Sequence, residues 1–132
     1  MEITEKIKQI CINARTASKT LANSSGEARN GLLIAISEKL AANADGIIAA
    51  NALDLNAAKE NGMRESMLDR LALNEGRINA IAAAVKKVAA LPDPLGSGEV
   101  TTRPNGLKIE KTRVPLGVVA IIYEARPNVT PD

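Results

Sequence analysis

A chain of 132 residues with no histidine and a single cysteine cannot build a Ser-His or Cys-His nucleophile pair, a histidine general base, a histidine-ligated zinc site or an internal disulfide from its own residues. Seventeen basic residues against fifteen acidic ones leave a formal charge of +2, scattered with no run longer than Lys86-Lys87, which argues against a nucleic-acid partner. The longest strongly apolar run, Leu116 to Ile122, is too short to span a bilayer, so neither a membrane nor a metal is expected.

The apolar residues are mostly Ala, Leu, Ile and Val, with one Tyr and neither Phe nor Trp. Aromatic side chains bury the most area each, so the core is expected to be built from small pieces. The first ten residues, MEITEKIKQI, are amphipathic and lack the apolar stretch of a secretory leader. With the lone cysteine, this predicts a cytoplasmic protein.

Residues 1 to about 92 read as successive helices. Ile3, Ile7, Ile10, Ala14, Ala17 and Leu21 recur at steps of four and three, which predicts one apolar stripe on a first helix. Cys11 lies beside that stripe and reads as a packing residue. Ser24 to Glu27 fits a capping box, opening a second helix with Leu32, Leu33, Ile36 and Leu40. Asp45 is expected to cap a third, with Ile48, Ala52 and Leu55 on one face, stopped at Asn61-Gly62. A short helix covers roughly Glu65 to Leu71; its Asp69-Arg70 pair could reach a substrate carboxylate, or form a local ion pair or a helix contact. Asn74 then caps a helix whose Ile78, Ile81, Ala82, Val85, Val88 and Ala89 give the cleanest periodicity in the chain.

At LPDPLGSG, positions 91–98, two prolines and two glycines end the helical half. Gly96-Ser97-Gly98 lacks the third glycine and the strand-before, helix-after setting of a phosphate-binding turn. Two short β-prone segments follow, 99–103 and 107–114, joined at Asn105-Gly106, a strong hairpin signal. Both faces of this ribbon are polar, which suits a surface or a partner. PLGVVAII, positions 115–122, then reads as a continuous apolar strand of the kind buried in a parallel sheet. Such a strand needs neighbours and crossover helices. The expected fold class is therefore α/β, truncated: a helical segment, a β-hairpin and the first strand of a parallel sheet.

The most unusual polar cluster follows that strand: Tyr123, Glu124, Arg126 and Asn128, with Pro127 between the last two. Arg126 offers a planar fork suited to phosphate or carboxylate. Asn128 offers an amide donor where α/β folds place ligands, and can serve a developing oxyanion without adding charge. The alternative is a polar loop with a surface ion pair between Glu124 and Arg126.

RPNGLKIEKTRVPLGVVAIIYEARPNVTPD, together with AANADGIIAANALDLNAAKENG, MLDRLAL and LPDPLG, resembles the gamma-glutamyl phosphate reductase family of the aldehyde dehydrogenase superfamily. The resemblance covers essentially the whole chain. It implies an enzyme of proline biosynthesis that reduces L-glutamyl 5-phosphate with NADPH to L-glutamate 5-semialdehyde, phosphate and NADP. In that family a cysteine thiolate displaces phosphate to give a thioester, which hydride then reduces. By resemblance Asn128 is the oxyanion donor, while Tyr123, Glu124 and Arg126 contact substrate phosphate or cofactor. The catalytic cysteine and most of the dinucleotide-binding fold would lie downstream, leaving this chain inactive alone.

The same resemblance divides the chain into a helical part of the cofactor domain at 1–97, a hairpin of the bridging element at 98–114, and the first sheet strand with an active-site loop at 115–132. The hairpin would then mediate homo-oligomer contacts, with glutamate 5-kinase as a second protein partner. Two rivals stand beside this reading. One is a non-catalytic helical module that assembles or binds through the hairpin and final strand. The other is a different aldehyde or acyl-phosphate oxidoreductase of the same superfamily.

Overall fold

A computed structural model describes residues 2–131. In chain order the elements are α1 (Ile3–Ala22), α2 (Gly26–Ala42), α3 (Ala44–Glu60), α4 (Glu65–Leu71), α5 (Glu75–Ala89), β1 (Gly98–Thr102), β2 (Lys108–Thr112) and a 3₁₀ turn, Pro127–Val129. They form two compact units, one comprising Met1–Gly26 with Pro92–Ala120 and the other Glu27–Leu91 with Ile121–Asp132.

In the second unit α5 carries the core. Of the stripe expected from the sequence, Ile78, Ala82, Val85 and Ala89 are buried, with Ile78 only 2 % exposed, while Ile81 is half-buried and Val88 is exposed. α3 packs against α4 and α5 and contributes buried Ala44 and Ala58. Small side chains at these positions let the helices approach closely, at the cost of little area buried per contact. Two polar residues share the core. Ser37 of α2 donates its hydroxyl to the Ala82 carbonyl at 2.7 Å. Asn51 of α3 donates to the Leu71 carbonyl at 2.9 Å and accepts from the Leu73 amide at 2.8 Å. Neither is left with an unsatisfied side-chain atom, so their burial is not penalised.

The helix ends test the capping signals one by one. Asn74 caps α5 as expected, its Oδ1 accepting from the Arg77 amide at 2.8 Å. At the end of α3, Gly62 has a φ of 73°, its amide reaches Lys59 and the Met63 amide reaches Ala58, the two bonds of a Schellman stop. Asp45, by contrast, is not the cap of α3. Asn43 occupies that position, with its side-chain amide turned back to the Lys39 carbonyl of α2. Only one residue separates α2 from α3, so the chain has no room for an extended cap at 45, and Asp45 sits in the first turn. Ser24 donates its hydroxyl to the Leu21 carbonyl at the end of α1, and α2 opens at Gly26.

In the first unit, no residue of α1 is buried and its stripe of Ile3, Ile7, Ile10 and Leu21 is exposed. β1 and β2 pair antiparallel, with Gly98 opposite Thr112 and Thr102 opposite Lys108. The turn is closed by Gly106 N–H to the Arg103 carbonyl and Arg103 N–H to the Leu107 carbonyl, both 2.9 Å. Gly106 takes a φ of 84°, the left-handed conformation that ends a three-residue hairpin loop. At the other end, a Cβ on Gly98 would lie 2.0 Å from the Lys111 carbonyl oxygen, and Gly96 N–H donates to the Arg113 carbonyl. Both glycines of Gly96-Ser97-Gly98 thus serve the hairpin base.

The run 115–122 does not form the buried strand expected of it. It pairs with no strand among the described residues and is exposed throughout, Leu116 at 92 % and Ile122 at 101 %. A strand exists by exchanging backbone hydrogen bonds with neighbours, and β1 and β2, the strands among the described residues, pair with each other. Among the described residues, no helix is long and apolar enough to cross a membrane.

Candidate functional site

The polar cluster after the apolar run is folded into a tight turn. Tyr123 and Thr130 are joined hydroxyl to hydroxyl, closing it at its base. Inside, Ala125 adopts a φ of 49°, the one non-glycine residue with positive φ among those described. Such a conformation costs on the order of 1–3 kcal/mol and persists only where its surroundings impose it. Arg126 (φ −135°, ψ 82°) lies outside the helical region, which a following proline disfavours. Pro127 then starts the 3₁₀ turn, held by the Val129 amide on the Arg126 carbonyl at 3.1 Å. The reversal at Ala125 and the fixed Pro127 together set the direction of Arg126 and Asn128.

Arg126, Pro127 and Asn128 line a cavity of about 590 Å³ whose other walls come from α4 and α5. Asp69 and Arg70 of α4, and Arg77 and Ile81 of α5, face it. Residues more than forty positions apart in the chain therefore share one concave surface of the size typical for small-molecule sites. Three arginines against one aspartate make its lining cationic.

The three guanidiniums are not equivalent. Arg77 bonds the Asp69 carboxylate at 3.0 Å and also donates to the main-chain carbonyls of Asp69 and Ala72. These carbonyls lie at the exposed C-terminal end of α4, where the helix leaves its acceptors unpaired. Arg77 thus serves the fold. The guanidiniums of Arg70 and Arg126 make no ion pair or hydrogen bond among the described residues, and each can take an anion without breaking an existing side-chain contact.

The sequence-level candidates divide accordingly. Asn128 and Arg126 line the cavity, as do Asp69 and Arg70, and Asp69 forms its ion pair with Arg77 of α5 and not with Arg70 beside it. Tyr123 closes the turn instead of lining the cavity, Glu124 is exposed outside it, and Glu124 forms no ion pair with Arg126. Cys11 is exposed on α1. Arg77 was not singled out by the sequence, although it stands three residues after the Asn74 cap, where a capping box would place Glu. Asn51 and Ser37 were also missed. Their signal is a polar residue on an apolar stripe: Asn51 lies between Ile48 and Leu55, and Ser37 between Leu33 and Leu40, at helical spacing.

No protein-family model matches the chain. Individual proteins do. It is 50% identical over 135 residues to gamma-glutamyl phosphate reductase of Geotalea daltonii, covering 100% of this chain and 32% of that protein. The reductase of Xanthomonas oryzae pv. oryzae is 50% identical over 127 residues, covering 96% and 31%. Among solved structures, gamma-glutamyl phosphate reductase of Thermotoga maritima superposes with a TM-score of 0.85 at 40% identity, covering 99% of this chain and 31% of its own. In sequence and in fold, this chain is similar to gamma-glutamyl phosphate reductase.

The Saccharomyces cerevisiae gamma-glutamyl phosphate reductase agrees, with a TM-score of 0.85 at 38% identity over 93% of this chain. The chain spans about a third of the length of the reductases it matches. Its helices and two-stranded antiparallel sheet correspond to part of the gamma-glutamyl phosphate reductase structures, in keeping with the expected fragment of an α/β fold.

Proposed function

We propose that this chain forms part of an oxidoreductase that reduces L-glutamyl 5-phosphate to L-glutamate 5-semialdehyde and phosphate in proline biosynthesis. The observation that carries the reading is the 50% identity to gamma-glutamyl phosphate reductase across the whole chain. The cationic cavity supports it, because the substrate bears both a phosphate and a carboxylate.

In this reading Asn128 donates its side-chain amide to the carbonyl oxygen of the acyl phosphate as that oxygen becomes tetrahedral and negative. A neutral donor fixed in place is worth more there than in water, since it needs no reorganisation during the reaction. Arg126, two residues away on the same turn, neutralises the departing phosphate. Nucleophilic chemistry falls to a cysteine other than Cys11, which is not among the residues lining the cavity.

A nicotinamide cofactor, NADPH in this reading, would supply the hydride. The described residues do not fit its pyrophosphate: the glycines of Gly96-Ser97-Gly98 are taken by the hairpin base, and no paired strand leads into a glycine-rich turn and helix. This chain's residues therefore bind and orient the acyl phosphate, and the dinucleotide is held elsewhere. The hairpin at 98–114, exposed on both faces, is the segment proposed for contact between subunits.

The test is turnover by the complete enzyme containing this segment, run in reverse with L-glutamate 5-semialdehyde, inorganic phosphate and NADP and followed by nicotinamide absorbance. Phosphate-dependent formation of NADPH is expected. A folded enzyme that shows none would refute the reading.

A further inference from the structure

We infer that Arg70 and Arg126 are the two cationic ends of a site for an elongated dianion, Arg126 taking a phosphate beside Asn128 and Arg70 taking a carboxylate at the far end of the ligand. The assignment of ends rests on the reading above that Asn128 addresses the reacting carbonyl; the anion site itself does not. The cavity of about 590 Å³ receives arginines from separate segments, Arg70 from α4, Arg77 from α5 and Arg126 from the 3₁₀ turn. Arg77 is spent on Asp69 and on the carbonyls of Asp69 and Ala72. Asp69, the acidic residue in the lining, is held by that contact. The guanidiniums of Arg70 and Arg126 have no partner of their own among the described residues.

A guanidinium in a concave site with no carboxylate to pair with is a receptor for an oxyanion. Its planar fork can bond carboxylate or phosphate through two N–H groups at once. The rest of the lining fits what lies between two anionic ends. Ala80, Ile81 and Ala84 of α5 provide an apolar wall, suited to methylene groups and offering nothing to a polar linker. The order of the ends follows from chain connectivity. Arg126 and Asn128 flank Pro127 on one turn, so the anion attached to the carbon that Asn128 addresses is the one Arg126 meets. In an acyl phosphate that anion is the phosphate. Arg70 is left for the carboxylate of the amino-acid end, which makes it the residue that selects a glutamyl substrate over a simple acyl phosphate.

The experiment uses the complete enzyme in the reverse direction, with inorganic phosphate and either L-glutamate 5-semialdehyde or butanal, the same chain without the amino and carboxylate groups. Arg70→Met should raise KM for the semialdehyde about 10–100-fold, the loss expected for one charged hydrogen-bonding partner. Its parameters for butanal should stay unchanged. Arg126→Met should instead raise KM for phosphate by a similar factor. Arg70→Lys should recover part of the semialdehyde affinity, retaining charge without the fork. Arg70 is exposed, so its replacement leaves packing intact. An unchanged semialdehyde KM in Arg70→Met, or a rise shared equally by butanal, overturns the assignment. If the unmodified enzyme turns over neither aldehyde, the reductase reading fails, and the anion site is judged by binding: glutarate should shift the NMR resonances of the Arg70 guanidinium, and no shift overturns the site as well.

Discussion

Arg77 on α5 holds Asp69 on α4 through both side chain and main chain, with the carboxylate at 3.0 Å and the Asp69 carbonyl on a second guanidinium nitrogen. One residue thereby ties two helices together at the rim of the cavity and removes its own charge, and that of Asp69, from competition for a ligand. The pair itself is largely exposed, 43% and 74% for the two side chains. Its Coulomb term is therefore screened to roughly 0–1 kcal/mol. The main-chain acceptors matter more, since they are the otherwise unpaired carbonyls at the end of a seven-residue helix.

Arg77→Met should thus lower stability by about 1–2 kcal/mol, as three charge-assisted bonds are lost at a partly solvated site. Asp69→Asn, which spares the main-chain bonds, should cost less than about 0.5 kcal/mol. Urea denaturation midpoints distinguish the two. Equal losses would show that the carboxylate, not the main chain, is the important acceptor.

Asn51 is the inner counterpart of this clamp, meeting the Leu71 carbonyl and the Leu73 amide from the α3 side. Asn51→Leu would leave both groups without their partner next to a buried side chain that is only 5% exposed. Each such group costs about 1–3 kcal/mol, so a loss of about 2–4 kcal/mol is expected in the same denaturation assay. Asn51→Ser, shorter but still polar, should lose less if water enters the gap.

Asn128→Ala in the complete enzyme should lower turnover by about 10²–10³, typical for removing one oxyanion donor. KM should change little, because the interaction strengthens as charge develops and not when substrate binds. Steady-state kinetics check this. Unchanged turnover would make Asn128 a turn residue only.

The apolar run at 115–122 displays Leu116, Val119 and Ile122 without backbone partners. Such a segment is a template for pairing with another chain. In this chain, light scattering should show concentration-dependent self-association, and Val119→Lys with Ile122→Lys should suppress it. A monodisperse monomer before substitution would count against an unpaired strand.

Local signals were legible wherever the chemistry that decides them is local. The Asn74 cap, the Asn61-Gly62 stop and the Asn105-Gly106 hairpin depend on residues within a turn of one another and are in place, as is the α5 stripe apart from half-buried Ile81 and exposed Val88. Asp45 was misread because its role depended on how closely α3 follows α2, which pattern does not specify. Residues 115–122, expected as the first strand of a parallel sheet without its neighbours, are unpaired among the described residues: apolar, β-prone residues favour a strand, but only a neighbour with free backbone groups makes one.

The candidate site divides in the same way. From sequence alone came the chemical types at its end, Arg126 and Asn128 around a conformation-fixing Pro127, the exclusion of histidine chemistry, and a family resemblance resting on quoted motifs. Only the tertiary structure decided that Arg70 and Arg77 share a cavity with that turn, that Arg77 is neutralised by Asp69, and that Arg70 and Arg126 keep their charges available. Charges far apart in sequence have no fixed distance until helices pack. Whether a guanidinium is a strut or a receptor depends on what else lies within hydrogen-bonding reach.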